Sequence, residues 1–212
     1  MSYEHIRGLI LDYGEVLCHR PAPEKIARMA DALGLAPETF AARYQEERGP
    51  YDRGDIWYPD YWSKVAAGAV KLDYDLLDNL RQWDVEMWSD VDRDMTEWVD
   101  RVHASGFKTA LLSNMHADMA SYARRTFDWL QRLDCVTISC EVRRIKPEPE
   151  IYARCLEGLA LQPIEVLFID DREANVQAAS DAGLLALRFE SVERLRSDLD
   201  GLGFPVLPVG SA

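Results

Sequence analysis

Asp12, Ser113, Asn114, Lys146, Asp170 and Asp171 are the residues of this chain whose types and placement could do chemistry. Asp12 ends the apolar run Leu9-Ile10-Leu11, with the breaker Gly14 just behind it. Asp170-Asp171 ends Val166-Leu167-Phe168-Ile169, and Ser113-Asn114 ends Thr109-Ala110-Leu111-Leu112. Each is a polar stop at the carboxyl end of a buried strand, where α/β sheets bind their ligands. Carboxylates there offer a nucleophile and hard oxygen ligands, and two adjacent acids call for a cation to compensate them. Taken singly, each has an ordinary use. Asp12 can cap a loop, Ser113-Asn114 can cap a helix, and Lys146 can be a solvated lysine. Three polar strand ends and an isolated lysine, in this order, are hard to explain by folding alone. A purely structural sheet would avoid burying them.

The elements that must position these residues read as follows. After the first strand the chain turns helical. Ile26, Met29, Ala30 and Leu33 mark one helix face over Glu24–Leu33, closed by Gly34. Pro37 opens a second helix with Phe40 and Tyr44 on its apolar side, and Gly49-Pro50 is expected to break it. Tyr58–Val65 and Asp75–Trp83 supply two more. Trp57, Trp62, Trp83 and Trp88 fall here, the aromatics a small helical unit needs for a core of its own. Tyr51 or Trp57, near Gly54, could instead line a substrate pocket. From about Thr96, strands alternate with helices: Thr109–Leu112, a helix over Ala117–Trp129, Cys135–Ser139, a helix opened by Pro147-Glu148-Pro149, Val166–Ile169, Glu173–Ala182 closed by Gly183, Leu184–Leu187 and Val192–Leu199. Apolar strands alternating with helices predict an α/β fold whose parallel sheet is covered on both faces.

The 212 residues suit one domain carrying an insertion, and 48% hydrophobic content is enough for a substantial core. A formal charge of −13 argues against nucleic acid and against an anionic membrane surface. No apolar run approaches the roughly 20 residues of a membrane span, and Met1–Ile6 is too polar for a signal-peptide core. Cys18, Cys135, Cys140 and Cys155 lack metal-binding or CxxC spacing, so free thiols and a cytoplasmic location are expected. Cys18 reads as a buried structural thiol. The sequence carries no signal for oligomeric state.

Asp12-Tyr13-Gly14-Glu15-Val16, Leu112-Ser113-Asn114, Lys146-Pro147 and Asp170-Asp171 with Asn175 behind them resemble, in order and spacing, the four motifs of the haloacid dehalogenase-like hydrolase superfamily. The likeness covers nearly the whole chain. It implies a Rossmann-like doubly wound core over 1–18 and 94–212, with a helical cap of the family's first type over 19–93. It also implies a phosphatase acting on a small phosphorylated metabolite, a sugar phosphate among the options. Asp12 would attack phosphorus and form an aspartyl-phosphate. Mg²⁺ would be held by Asp12, the Gly14 carbonyl, Asp171 and, directly or through water, Asp170. Ser113 and the backbone at Asn114 would hold phosphoryl oxygens, and Lys146 would neutralise the nucleophile and the transferring group. Asn175, Arg143, Arg144 and Arg172 read as loop-bracing or surface groups, and His116 as a neighbour of the site.

One departure stands out. The family's phosphatases usually carry a second aspartate, the general acid, two residues after the nucleophile. Here Gly14 stands there, followed by Glu15. Some sugar-1-phosphate phosphatases of the superfamily look similar. The expectation is a substrate with a good leaving group, such as an anomeric or acyl phosphate, or an acid supplied by Glu15, His19 or His116. Two rivals follow from the same residues. One is a binding or regulatory domain that kept the fold with weak activity or none. The other is a 2-haloacid dehalogenase, which Gly14 and Asp170-Asp171 disfavour.

Overall fold

The strands β1 (Gly8–Leu11), β2 (Lys108–Ser113), β3 (Cys135–Ile138), β4 (Val166–Asp170) and β5 (Leu185–Arg188) build one sheet in this computed structural model, which describes residues 3–209. The spatial order is β3-β2-β1-β4-β5 and every pairing is parallel. From β1 the chain winds outward through β2 to β3, then returns to lay β4 on the other side of β1. The winding direction therefore reverses beside β1, which opens a crevice at the carboxyl edge. Leu11 pairs with Leu111 on one side and Ile169 on the other. This register carries the polar stops of all three central strands to one edge.

Both faces of the sheet are dry, which is why the strands read as unbroken apolar runs rather than alternating ones. Ile10, Ala110, Leu112 and Phe168 face one cluster, and Leu9, Leu11, Leu111, Leu167 and Ile169 face the other. The layers come from the alternation expected of the second part of the sequence.

Between β1 and β2 run α1 (Pro23–Ala32), α2 (Pro37–Glu46), α3 (Arg48–Arg53), α4 (Tyr58–Ala66), α5 (Tyr74–Met87) and α6 (Arg93–Ala104). The last of these packs on the sheet through Met95, Trp98, Val99 and Val102. The first five share a separate apolar cluster holding Met29, Leu33, Phe40, Tyr44, Tyr61, Trp62 and Leu80. Trp88 packs against both clusters, and Trp57 is 75% exposed. Where the chain enters and leaves this helical unit it pairs with itself. The His19 N–H donates to the Asp90 carbonyl at 2.8 Å, and the Asp92 N–H to the Leu17 carbonyl at 3.0 Å.

After β2 come α7 (Ala117–Thr126), α8 (Ser139–Val142), α9 (Pro149–Leu159), α10 (Glu173–Asp181) and α11 (Val192–Leu202). Gly183 follows α10 at φ +91°, a left-handed position that suits glycine. Four sequence expectations need correction. Gly49-Pro50 does not break the second helix. The break falls at Glu47, and Gly49-Pro50 lies in the first turn of α3, where the missing proline N–H costs nothing. The helix placed over Ala117–Trp129 stops at Thr126, because Phe127, Trp129 and Leu130 fold into the core through a 3₁₀ turn. The strand over Cys135–Ser139 ends one residue early, and Ser139 opens α8. The helix begun near Asp75 runs on to Met87 and carries the buried Asp84. No helix among the described residues is long and apolar enough to cross a membrane.

Candidate active site

Asp12 follows β1 as the chain leaves the sheet, tied to β4 by its N–H on the Ile169 carbonyl at 3.0 Å. Its Oδ1 accepts the Tyr13 N–H at 2.7 Å and lies 2.7 Å from Lys146 Nζ. The same ammonium donates to Asp170 Oδ2 at 2.7 Å. Lys146 is buried, so the solvated lysine is ruled out. Burial pulls its ammonium down, but Asp12 and Asp170 outweigh that and hold it above the usual lysine range. What positions it is Asn114, whose Nδ2 donates to the Lys146 carbonyl at 2.9 Å and whose Oδ1 accepts the Lys146 N–H at 2.8 Å.

Asp170 is held on every side. Asn175 Nδ2 reaches both carboxylate oxygens, at 2.9 and 3.1 Å, and the Arg172 N–H donates to Oδ1 at 2.9 Å. Asn175 is thus a buttress for Asp170, a more specific task than loop tethering.

Carboxylate oxygens of Asp12, Asp170 and Asp171 lie within 4.8 Å of one another. At that separation two carboxylates repel by about 3–4 kcal/mol at an effective dielectric of 20. One ammonium does not balance three such groups. Burial raises the Asp12 carboxyl to about 6, Lys146 opposing and Asp170 adding to the shift. Burial and then Asp170 raise Asp171. Hard oxygen donors with excess negative charge fit a small divalent cation.

Asp12, Asp171 and Lys146 line a cavity of about 90 Å³, with Asp170 buried behind them. Ser113, Asn114 and Gly14 also line it, and so do Tyr44, Gln45, Arg48, Asp52 and Trp88 from the helical side. Arg172 closes the rim, its Nη2 donating to Gln45 Oε1 at 3.2 Å. Arg172 therefore lines the site as well as bracing a loop, whereas Arg143 and Arg144 stay outside the lining.

The helical side of the lining escaped the sequence. Tyr51 and Trp57 do not line the cavity. Tyr51 stacks between Tyr61 and His116, with centroids at 4.3 and 4.6 Å, and Trp57 faces solvent. His116 is fully buried beneath Tyr51 rather than bordering the site. Its Nε2 lies 3.3 Å from Asp84 Oδ2 but is not aligned as a hydrogen bond. Burial lowers its pKa to about 3, so it stays neutral and is no proton donor. His19 is exposed and outside the lining, 3.9 Å from Asp92. Of the three surrogate acids only Glu15 lines the cavity, and it is paired with Arg20 at 3.0 Å. Arg48 and Asp52 form an i, i+4 pair whose signal was hidden by reading Gly49-Pro50 as a break. Cys18 is buried, and its thiol is pushed up to about 12 by that burial, as a structural thiol should be.

A parallel sheet of this order, with acids and a buried lysine gathered at its carboxyl edge beneath a helical unit, defines a Rossmann-like α/β protein with its site at the switch point. The chain belongs to the haloacid dehalogenase-like hydrolase family, whose sequence profile matches residues 6–183. Flavin mononucleotide hydrolase 1 of Arabidopsis thaliana is 40% identical over 68 residues, 32% of this chain and 28% of that protein. (S)-2-haloacid dehalogenase 1 of a Pseudomonas species is 23% identical over 205 residues, 89% of this chain and 86% of that protein. The first curated relatives are matched over only 10% to 28% of their own length. In fold, the chain is similar to the HAD family enzyme BT-2542 of Bacteroides thetaiotaomicron, solved with magnesium and inorganic phosphate. The TM-score is 0.70 at 20% identity, covering 87% of this chain and 94% of that one.

Proposed function

We propose that this chain is a Mg²⁺-dependent phosphomonoester hydrolase acting on a small phosphorylated metabolite, with sugar phosphates in the class. The observation that carries this reading is the Asp12–Asp170–Asp171 cluster facing one buried lysine. Asp12 and Asp171, with the Gly14 carbonyl, are the groups to hold Mg²⁺. Asp170, whose oxygens are already bound by Lys146, Asn175 and the Arg172 N–H, contributes from behind or through water. When bound, the ion offsets the charge between substrate and carboxylates.

The chain's own groups do the rest. Tyr13 and Lys146 occupy Asp12 Oδ1, which leaves Oδ2 to attack phosphorus. Ser113 and the backbone at Asn114 hold phosphoryl oxygens, and Lys146 stabilises the charge that builds during transfer. Water then hydrolyses the aspartyl-phosphate. The residues over 19–93 act as a cap that closes on the core and selects the substrate. A cavity of about 90 Å³ is far below the roughly 300–1,000 Å³ of drug-sized ligand pockets, which favours a phosphoryl group with a short attachment. The flavin mononucleotide hydrolase relative acts, by its name, on a phosphomonoester, and BT-2542 was solved with both magnesium and phosphate.

Dehalogenation is the second reading, favoured by the near full-length match to a haloacid dehalogenase. That chemistry uses an attacking aspartate without a metal. A panel of phosphorylated metabolites and p-nitrophenyl phosphate, assayed with Mg²⁺ and again in EDTA, separates the two. Phosphate release that stops in EDTA and in Asp12→Asn is expected. Halide release from 2-chloropropionate in EDTA would favour the dehalogenase, and no turnover of either kind a binding domain.

A further inference from the structure

Asp12, Asp170 and Asp171 reach the site from the sheet, and Asp52 comes from the helical unit. Asp52 on α3 is 6% exposed and lines the same cavity as Asp12. Its placement is fixed from two directions. Its backbone carbonyl accepts the Ser139 hydroxyl at 2.6 Å, and Ser139 Oγ accepts the Met115 N–H at 2.8 Å, so α3 is anchored to the core. Its Oδ1 accepts Arg48 Nε at 2.9 Å.

Behind Asp52 lies a closed set of charges. Arg48 Nη1 donates to Asp84 Oδ2 at 3.0 Å and to Oδ1 at 3.2 Å, and Tyr44 Oη donates to Asp84 Oδ1 at 2.6 Å. The set holds two carboxylates and one guanidinium, with His116 neutral beside it. A buried excess of one negative charge is costly, and a bound proton removes it. Asp84 accepts from Arg48 Nη1 on both oxygens and from Tyr44 Oη, so a proton there would displace a bond already made. Asp52 takes a single guanidinium bond, so the proton belongs on Asp52, at the cavity wall. The other titratable or charged groups facing it are Tyr61 on α4, Cys140 on α8 and Arg172 after β4. Burial pushes its carboxyl up to about 6 against the pull of Arg48, in agreement with this assignment.

Gly14, which lines the same cavity, has no side chain to give a proton. A Cβ built there would meet the Trp88 ring at 3.7 Å, ordinary contact, so the vacancy is chemical rather than steric. We propose that Asp52 is the general acid and base of this site, delivered by the helical unit in place of the acid absent at Gly14. The assignment rests on the phosphatase reading. As Asp12 Oδ2 bonds to phosphorus and the bond to the leaving oxygen breaks, the Asp52 carboxyl gives its proton to that oxygen and an alcohol departs. The Asp52 carboxylate then takes a proton from the water that attacks the aspartyl-phosphate. Inorganic phosphate and the Asp12 carboxylate are released and Asp52 is protonated again. With an acid in place, the substrate no longer needs a good leaving group, contrary to the expectation drawn from Gly14 alone.

The test compares p-nitrophenyl phosphate, whose leaving group needs no proton, with a sugar 6-phosphate, whose leaving group does. Wild type with Mg²⁺ should turn over both. Asp52→Asn should lower kcat/KM, which reads formation of the aspartyl-phosphate and not its shared hydrolysis, about 10²–10³-fold on the 6-phosphate and less than 10-fold on p-nitrophenyl phosphate. It should also abolish the fall of 6-phosphate kcat/KM that accompanies ionisation of the acid. Retained p-nitrophenyl phosphate turnover shows that the variant is folded. Asp52→Glu should recover part of the loss, and Gly14→Asp should recover it in the Asp52→Asn background. Equal losses on both substrates, or an unchanged rate on the 6-phosphate, would overturn the role of Asp52 alone. A wild type with no Mg²⁺-dependent turnover of either substrate overturns the phosphatase reading and this role with it.

Discussion

Asn114 and Lys146 are joined by two hydrogen bonds running in opposite directions: amide to carbonyl at 2.9 Å, and backbone N–H to amide oxygen at 2.8 Å. This clamp ties the end of β2 to the segment before α9. It fixes the backbone from which Lys146 reaches Asp12 and Asp170. The side chain of Asn114 is therefore spent on the lysine, and only its backbone is free for a phosphoryl oxygen.

Removing the clamp should misplace the ammonium without removing it. Asn114→Ala is expected to lower kcat by about 10- to 100-fold, the scale of an ångström-sized displacement of a catalytic group. Unsatisfied backbone groups at Lys146 should cost about 1–3 kcal/mol of stability. KM should move far less than kcat. Steady-state kinetics on p-nitrophenyl phosphate with urea unfolding checks both parts, and an unchanged kcat would show that Lys146 needs no such support.

The two adjacent acids at the end of β4 are expected to separate in their effects. Asp170 is bound on both oxygens by protein donors, while among the described residues Asp171 accepts on its backbone carbonyl, from Arg188 Nε at 3.2 Å, and on neither carboxylate oxygen. Asp171→Asn should weaken Mg²⁺ binding at least about 10-fold in titration calorimetry while leaving the stability of the metal-free protein nearly unchanged. Asp170→Asn should destabilise the metal-free protein by about 1–3 kcal/mol, because its amide cannot satisfy Lys146, Asn175 and the Arg172 N–H together, although Lys146 keeps Asp12. Interchanged results, with Asp170→Asn abolishing binding at unchanged stability, would make Asp170 the direct ligand.

The cluster could be read from sequence because its signals are local. Asp12, Ser113 and Asp170 each end a run of apolar residues, and such a run in an α/β chain is a buried strand with a functional end. Lys146 was visible only through its company, since nothing local distinguishes a buried lysine from a solvated one. The helical side of the cavity was not readable. Arg48, Asp52 and Asp84 come from two helices that meet only after α2–α5 have packed, and Asp84 lies in the last turn of a helix whose Leu80 and Met87 are core. Gly49-Pro50 looked like a terminator because proline ends helices from within, yet the same residue is welcome in a first turn. Which use it serves depends on where Arg48 finds its partners.

His116 makes a prediction about stability against pH. It is buried, neutral and stacked on Tyr51, with Asp84 as its nearest charge and Arg48 and Arg81 further opposing protonation. Its pKa falls from an ordinary 6.5 to about 3 in the folded protein, with burial the main cause. Between those values the unfolded chain binds a proton that the folded chain refuses. The stabilisation is complete above about pH 6.5 and is lost as pH falls toward 3. Asp12 and Asp52, whose carboxyls are raised to about 6, act with the opposite sign, losing stability as pH rises from about 4 to 6. They are present in wild type and variant alike, so they cancel in the difference. His116→Phe, which keeps an aromatic ring against Tyr51, should therefore show a flatter fall of Tm between pH 6.5 and 4 in metal-free buffer than the wild type. Parallel curves would mean that His116 is protonated in the folded protein and that its contact with Asp84 is an ion pair.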